Sequence, residues 1–412
     1  MSKRLKKIDI VVLLAIILVA TIFFYKAGYI SPFEDRDTGG EEPSPPIDET
    51  PVNRTPQLPP SFILPSLRAI TPDDEGCHYK SLLVSREWWY FTAVLYGEER
   101  EEWGVAISFK HLAYGDLFGE LKPDVLTVVL YDNNGNVYGG LTNERRGTLK
   151  ATSPGVDISF KDSWVQGSYP TWHVHVEDKD IDEKHEIIVD LDYQAHSLPL
   201  WTYDNRILNN SRSTLASYVV IGCTVKGKII IDGRTYEVEG TGTYEHSWSP
   251  FYVRKSLFGG WDWFHIKLEN GWMIYISQFY PSPKALTTKY NKFSPFGVMI
   301  ITPDGDTITK FSTFNLNSKS QEKIFLFTRF PAEFTLSAKK SHNLLLERID
   351  LKVDMDIKTK DTYQKVWKFP TYVGVKIGGC TATGSISWVE NGESYDIEIR
   401  GVGIGWTTRI LP

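Results

Sequence analysis

Cysteine is scarce in this sequence. Its 412 residues include three cysteines, Cys77, Cys223 and Cys380, and neither a CxxC nor an HExxH spacing occurs. An odd number outside the cell permits at most one disulfide and leaves one thiol over. Because cysteines and histidines do not cluster along the chain, the sequence argues against a structural zinc site. No metal site and no cofactor is predicted.

Positive charge is also in short supply. The formal net charge is −6, whereas a nucleic-acid-binding protein ordinarily carries a basic surface. Nucleic acid is therefore not an expected partner.

Long apolar runs are missing except at the start of the chain. Residues 10–25 contain no charged side chain, and four basic residues occur among the first seven positions. We predict a single transmembrane anchor over residues 1–30, with the rest of the chain outside the cytoplasm. A secretory signal peptide is the alternative, although no A-x-A cleavage pattern follows the run.

After the predicted anchor, residues 31–61 include eight prolines. Such a composition predicts a stiff, exposed linker. From residue 62 onward, convincing helical periodicity is absent and short β-forming runs alternate with Asn-Gly or Asp-Gly pairs, as at Asn134-Gly135 and Asn270-Gly271. These pairs between β-forming runs are the strongest local signal of a hairpin. The predicted fold class is all-β.

Two long segments of the sequence resemble each other. GCTVKGKIIIDGRTYEVEGTGTY starts at Gly222, and GCTATGSISWVENGESYDIEIRGVGIGW starts at Gly379. They align over Gly-Cys-Thr, over an Asp-Gly or Asn-Gly turn, and over Gly-x-Gly. In this alignment Tyr236 matches Tyr395. The segments are therefore interpreted as one hairpin in two copies of a domain.

The repeat suggests a domain organisation. We predict β domains over residues 62–250 and 251–412, about 157 residues apart in register. A unit of this size fits an up-and-down antiparallel barrel, which leaves no open sheet edge. A pair of β-sandwiches is the alternative.

One acidic residue and one histidine distinguish the two copies. The first copy continues with Tyr244-Glu245-His246-Ser247-Trp248, whereas the second reads Ile-Gly-Trp-Thr-Thr. An acid and an imidazole among aromatic side chains are candidates for acid–base chemistry. A structural histidine, bonded to Glu245 or to the backbone, is the alternative. In an extended segment the two side chains point to opposite faces.

The motif REWWYF opens the first copy. On a strand, Glu87, Trp89 and Phe91 share one face. Glu87 and Trp89 are candidate ligand-binding residues. A buried aromatic strand, with Glu87 paired to an arginine, is the alternative, because a buried acid requires a partner.

A third aromatic motif is GGWDWFHIKLENG. Trp261 and Trp263 share one face and Asp262 takes the other. All three are candidate ligand-binding residues, as is Glu245. Aromatic core, with Asp262 hydrogen-bonded between the domains, is the alternative. His173 and His175 face one side of a strand, but no third ligand is evident.

Together, EWWYF, YEHSW and GWDWFHIKLENG resemble the carotenoid 1,2-hydratases (hydroxyneurosporene synthases) and the AttH-like proteins. The resemblance covers residues 62–412 and implies two consecutive lipocalin-like barrels. It also implies that His246, Trp248 and Tyr275 are catalytic. The family's aspartate on the later strand corresponds to Ser277 here, which puts carotenoid hydration itself in doubt.

The resemblance implies an apolar ligand more strongly than it implies a reaction. The first expectation is a membrane-anchored protein that binds a lipid or isoprenoid. The alternative is a hydratase or cyclase that uses acid catalysis at His246, with cation stabilisation by aromatic faces. An envelope interaction module without chemistry is the third possibility.

Overall fold

The computed structural model describes residues 70–79, 86–98, 101–112, 122–179, 184–203, 216–249, 258–281, 296–302, 309–311, 313–325, 328–344, 347–367, 372–390 and 393–411. The predicted anchor and the predicted linker lie outside these ranges. Within them, no helix has the length and apolar character needed to cross a membrane. The described residues between 70 and 322 and between 330 and 411 belong to one compact unit.

The all-β prediction is confirmed. The described helix α1 (Pro72–Glu75) is short, and the remaining elements are strands. The first twelve strands are β1 (Arg86–Gly97), β2 (Glu102–His111), β3 (Asp124–Asp132), β4 (Val137–Glu144), β5 (Leu149–Ala151), β6 (Val156–Phe160), β7 (Ser163–Ser168), β8 (Thr171–Lys179), β9 (Glu186–Ala195), β10 (Leu200–Tyr203), β11 (Ala216–Ile231) and β12 (Arg234–Ser249).

Nine further strands form a second sheet. They are β13 (Phe258–Leu268), β14 (Met273–Pro281), β15 (Phe296–Thr302), β16 (Thr309–Phe311), β17 (Phe314–Phe325), β18 (Thr328–Leu344), β19 (Glu347–Trp367), β20 (Tyr372–Glu390) and β21 (Glu393–Leu411). The two sheets share one pattern. In the first the order is β4-β3-β2-β1-β12-β11-β9-β8-β7-β6-β5, with β10 beside β11; in the second it is β16-β15-β14-β13-β21-β20-β19-β18-β17. Each sheet therefore pairs its first strand with its last.

The strand register places the two Gly-Cys-Thr segments on equivalent strands. Cys223 on β11 lies opposite Gly242, and Cys380 on β20 lies opposite Gly403. The register is the same at the next glycine of each strand. Gly227 on β11 lies opposite Val238, and Gly384 on β20 lies opposite Ile399. The boundaries predicted for the two domains stay a prediction.

One part of the sequence alignment is wrong. Tyr236 was matched with Tyr395, but the register makes Ile397 the counterpart of Tyr236. The second hairpin extends two residues further beyond the shared glycine in each arm: the last pair is Ile231–Arg234 in the first hairpin and Glu390–Glu393 in the second. An even number of added residues leaves the inward and outward faces of the strand unchanged.

Three apolar clusters organise the molecule. One lies within the first sheet, one lies within the second, and the third contains residues of both sheets. In the third cluster the Tyr131 hydroxyl donates to the Gly403 carbonyl at 2.8 Å. Tyr131 also packs over its cross-strand neighbour Gly104, where an added Cβ would lie 1.9 Å from the ring. The layer between the sheets is thus closely packed around Tyr131.

Candidate functional site

Strand β12 presents Glu245 and His246 on opposite faces, as alternation along an extended segment requires. His246 and Trp248 point into the cluster of the first sheet. Glu245 lies opposite Tyr90, a residue of the layer between the sheets. The two neighbours in sequence therefore belong to two different sites.

His246 is held by both ring nitrogens. Nε2 lies 2.8 Å from Glu87 Oε1, and Nδ1 lies 2.9 Å from the Asp74 carbonyl oxygen. A carbonyl only accepts, so Nδ1 carries a hydrogen and donates it to Asp74. The His246 and Glu87 side chains are both 0% exposed. The contact between them has the length of a charge-assisted hydrogen bond.

Glu87 has four hydrogen-bond contacts. Its Oε2 accepts from the backbone N–H groups of His78 and Tyr79 at 2.7 Å each, while its Oε1 also contacts His78 Nδ1 at 2.9 Å. The alternative that paired Glu87 with an arginine is wrong. Its partners are the imidazole of His246 on β12, and the imidazole of His78 and two backbone amides from the segment that precedes the REWWYF motif.

For both Glu87 and His246, burial and the partner group shift the pKa in opposite directions. Burial favours the neutral form of Glu87, but hydrogen bonds from His246 and His78 outweigh it and the pKa of Glu87 is lowered. For His246, burial lowers the pKa below 6.5 despite the raising effect of Glu87. An imidazole with a lowered pKa gives up a bound proton readily.

Aromatic rings surround the imidazoles. Trp248 stacks on His78 with centroids 4.1 Å apart and an interplanar angle of 6°. Trp89 stacks on His246 at 4.8 Å, and Tyr218 meets His246 edge-on. Four sequence candidates, Glu87, Trp89, His246 and Trp248, are therefore together in this first group.

Glu75 is an acid that sequence reasoning missed. It ends α1, and its carboxylate accepts from Trp172 Nε1 at 2.9 Å and from the Tyr169 backbone N–H. Burial raises its pKa from 4.5 to about 7. A signal was present in the sequence, because Thr71-Pro72 followed by acidic residues is typical of a helix start, and the structure has that capping box.

Glu245 lies at the centre of a second group, between the sheets. Its Oε2 accepts from Tyr275 Oη at 2.8 Å and from Trp263 Nε1 at 2.9 Å, and its Oε1 accepts from Ser247 Oγ at 3.1 Å. Burial is the largest influence and raises the pKa of Glu245 in spite of these donors. The side chain is nearly buried, with 7% of the residue exposed.

Lys110 and Tyr90 extend this second group. The Lys110 ammonium lies 3.4 Å from the ring centroid of Trp406 and 5.7 Å from that of Tyr90. Burial lowers the pKa of Lys110 well below its usual value, while Glu245 opposes that shift. Tyr90 contacts Trp263 and Trp406 edge-on, and its hydroxyl has no hydrogen-bond partner among the described residues. Sequence reasoning identified neither residue.

Asp262 forms a third group with Arg409. Two contacts of 2.9 Å join the guanidinium to both carboxylate oxygens, and the Tyr280 hydroxyl donates to Asp262 at 2.7 Å. Arg409 also donates to the Trp261 carbonyl. Asp262 is hydrogen-bonded, as the alternative for it proposed, but Arg409 and Tyr280 belong to the same sheet as Asp262 and not to the other domain.

The nine candidates thus fall into three groups. The structure unites Glu245, Trp263 and Tyr275, but it places Tyr275 with Glu245 and not with His246. Ser277 lies on the face of Tyr275, two residues along β14. The pair His173 and His175 contacts the carboxylates of Asp190 and Asp192 at the surface of the first sheet.

These features define an all-β protein with two equivalently ordered sheets and buried acids among aromatic rings. The model of the AttH-like family matches residues 64–342, and the chain belongs to this family. No curated protein matches the sequence.

Solved structures of the same fold were also found. An AttH-type protein of Nitrosomonas europaea is 15% identical, with a TM-score of 0.51 over 84% of this chain and 98% of that one. Kievitone hydratase of Nectria haematococca is 10% identical, with a TM-score of 0.53 over 84% and 95%. CghA bound to Sch210972 is 12% identical, with a TM-score of 0.49 over 80% and 89%. The first two likenesses establish the fold.

Proposed function

We propose that this protein protonates an apolar, unsaturated, isoprenoid-like substrate between its two sheets, and that it acts as a hydratase or a cyclase. The observation that carries the proposal is Glu245, a nearly buried carboxyl with a raised pKa among aromatic rings. A carboxyl whose pKa is raised by burial holds its proton more tightly and is a suitable general acid.

The chemistry requires one proton donor and a surface that tolerates positive charge. Glu245 gives its proton to one alkene carbon, and the other carbon becomes cationic. The faces of Trp263 and Tyr90 stabilise this cation. Water then adds to the cation and returns a proton to the Glu245 carboxylate. Alternatively, a second double bond attacks the cation, and a carbon beside the new cationic centre gives its proton back to the Glu245 carboxylate. The net reaction is hydration or cyclisation.

Glu245 serves as the donor better than His246 does. Burial raises the pKa of Glu245 but lowers the pKa of His246, so burial favours the proton-bound form of Glu245 and disfavours that of His246. The catalytic role that the family resemblance implies for His246 and Trp248 stays a prediction. The fold shared with kievitone hydratase supports a hydratase, since that name describes such an enzyme.

A carrier without turnover is the second candidate. The layer between the sheets is rich in large apolar side chains, including Trp263, Met273 and Trp406, and such a layer suits a lipid or isoprenoid. Such a carrier would consist of two lipocalin-like barrels that the predicted linker holds outside the membrane. Barrel closure would protect the backbone amides of the edge strands β4 and β5 from hydrogen exchange, and rapid exchange there would contradict it.

Incubation in D2O separates enzyme from carrier. The full-length protein is mixed with a panel of isoprenoid alcohols and alkenes, and the products are analysed by mass spectrometry. Hydration adds the mass of one D2O, and protonation-initiated cyclisation places deuterium on carbon. Glu245→Gln should abolish product formation while folding normally, with a loss of about 10²–10⁴-fold.

His246→Gln is the matched comparison, because it alters the adjacent residue on the other face of β12. Full activity in Glu245→Gln with loss in His246→Gln would overturn the assignment of the acid. Ligand binding without any deuterated product in the wild type would favour the carrier.

We also propose that residues 1–30 anchor the protein with the folded part outside the cytoplasm. Residues 10–25 and the preceding basic residues support this topology. Protease added to intact cells should then remove the folded part. Protection of the folded part until lysis would contradict the topology.

A further inference from the structure

We propose that His78, Glu87 and His246 bind a divalent transition-metal ion of the zinc class. Each offers one ligand atom, and these atoms lie within 4.8 Å of one another. Two imidazoles and one carboxylate are a ligand set that zinc uses in proteins, with a further position open. Such a set disfavours magnesium and calcium, which prefer oxygen ligands.

The surroundings orient the three ligand atoms. His246 donates its Nδ1 hydrogen to the Asp74 carbonyl, which directs Nε2 toward Glu87. Metal-binding histidines ordinarily use their second nitrogen in this way. Glu87 uses Oε2 to accept two backbone N–H groups, so Oε1 is the oxygen that faces both imidazoles.

The distances fit an ion after a small adjustment. Glu87 Oε1 lies 2.8 Å from His246 Nε2 and 2.9 Å from His78 Nδ1. Ligand atoms about 2.1 Å from a tetrahedral zinc ion lie about 3.4 Å from one another. Each of these two nitrogen–oxygen distances would therefore lengthen by about half an ångström. The His78 side chain is 26% exposed, which gives the ion a path from solvent.

Sequence spacing could not identify this site. Glu87 is nine positions from His78 and 159 positions from His246, so no short motif contains the ligands. Their separation also indicates what the ion would do. It would join the segment of α1 to both β1 and β12, and binding would stabilise the folded state by mass action. This role requires no catalytic activity and is independent of the proposed reaction at Glu245.

The alternative occupant of the site is a proton shared between Glu87 and the imidazoles. A measurement of metal binding distinguishes the proton from the metal ion. The full-length protein is treated with a chelator and then titrated with ZnCl2 or CoCl2, with MgCl2 as the control salt. We expect one zinc per chain by elemental analysis, visible cobalt absorption bands, and a higher melting temperature with zinc or cobalt but not with magnesium.

Variants test the ligand assignment. His78→Gln should weaken zinc binding by more than about 100-fold, since loss of an outer-shell partner alone costs 10–100-fold. His173→Gln, a change at a partly exposed histidine with carboxylate neighbours, should bind as the wild type does. Absence of stoichiometric zinc in the wild type, or equal affinity in His78→Gln, would overturn the proposal. If His78→Gln fails to fold, the wild-type cobalt spectrum decides: bands typical of nitrogen and oxygen ligands support the site, and their absence refutes it.

Discussion

Replacing Glu75 by glutamine should make the stability of the protein less sensitive to pH. Glu75 is 1% exposed and accepts hydrogen bonds from Trp172 and from the Tyr169 backbone. Burial is the largest influence on its pKa and raises it from 4.5 to about 7, although both donors lower it. Glutamine retains a side-chain oxygen for these donors and carries no ionisable group.

The sign and the size of the effect follow from linkage between proton binding and folding. A carboxyl with a higher pKa in the folded state binds its proton more tightly when the protein is folded. Its stabilising effect is complete below the unfolded pKa and is lost as the pH rises through the folded pKa. For a shift from 4.5 to about 7, the loss between about pH 5 and about pH 8 is roughly 2.5 kcal/mol.

Urea unfolding at these two pH values measures the effect. The wild type should lose about 2.5 kcal/mol more unfolding free energy between the two pH values than Glu75→Gln does. Glu237→Gln removes an exposed carboxyl and should behave as the wild type. Equal pH dependence in Glu75→Gln and the wild type would refute the reasoning, because Glu75 would then titrate alike in both states.

Two further predictions concern the other acids. Asp262→Asn removes the charge opposite Arg409 and should lower the free energy of unfolding by about 3 kcal/mol, measured in urea; an unchanged midpoint would show that the ion pair contributes nothing. Tyr275→Phe removes a hydrogen bond that lowers the pKa of Glu245, so that pKa rises further. Because the proposed reaction needs protonated Glu245, the alkaline limb of the pH–rate profile should move to higher pH, and an unmoved limb would count against Glu245 as the acid.

Local patterns in the sequence predicted the strands and their faces well. Asn270-Gly271 joins β13 to β14, and Asp232-Gly233 joins β11 to β12, because these pairs favour the tight turns of hairpins. Alternation along β12 correctly separated Glu245 from His246. It also grouped Glu87 with Trp89. These features depend on neighbours in sequence, which is why the sequence was sufficient for them.

Contacts between distant segments could not be predicted in the same way. The alternative for Glu87 paired it with an arginine, since a buried acid requires a partner, but the sequence pattern does not identify that partner. Residues 70–79 supply that partner and the carbonyl that binds His246. Lys110 was also missed, because its place beside Trp406 depends on how two sheets pack. Tertiary packing, not local preference, determines such pairs.

Comparison of the two hairpins explains why the proposed acid comes from the first sheet and not from the second. By register, Glu245 in the first sheet corresponds to Trp406 in the second, since they lie opposite Tyr90 and Trp263 respectively. Both Glu245 and Trp406 contribute to the layer between the sheets, where one is an acid and the other an aromatic ring. A symmetric pair of acids would repel, and a symmetric pair of tryptophans would have no proton to give. Divergence of the repeat at this position therefore provides both a proton donor and a ring that stabilises positive charge.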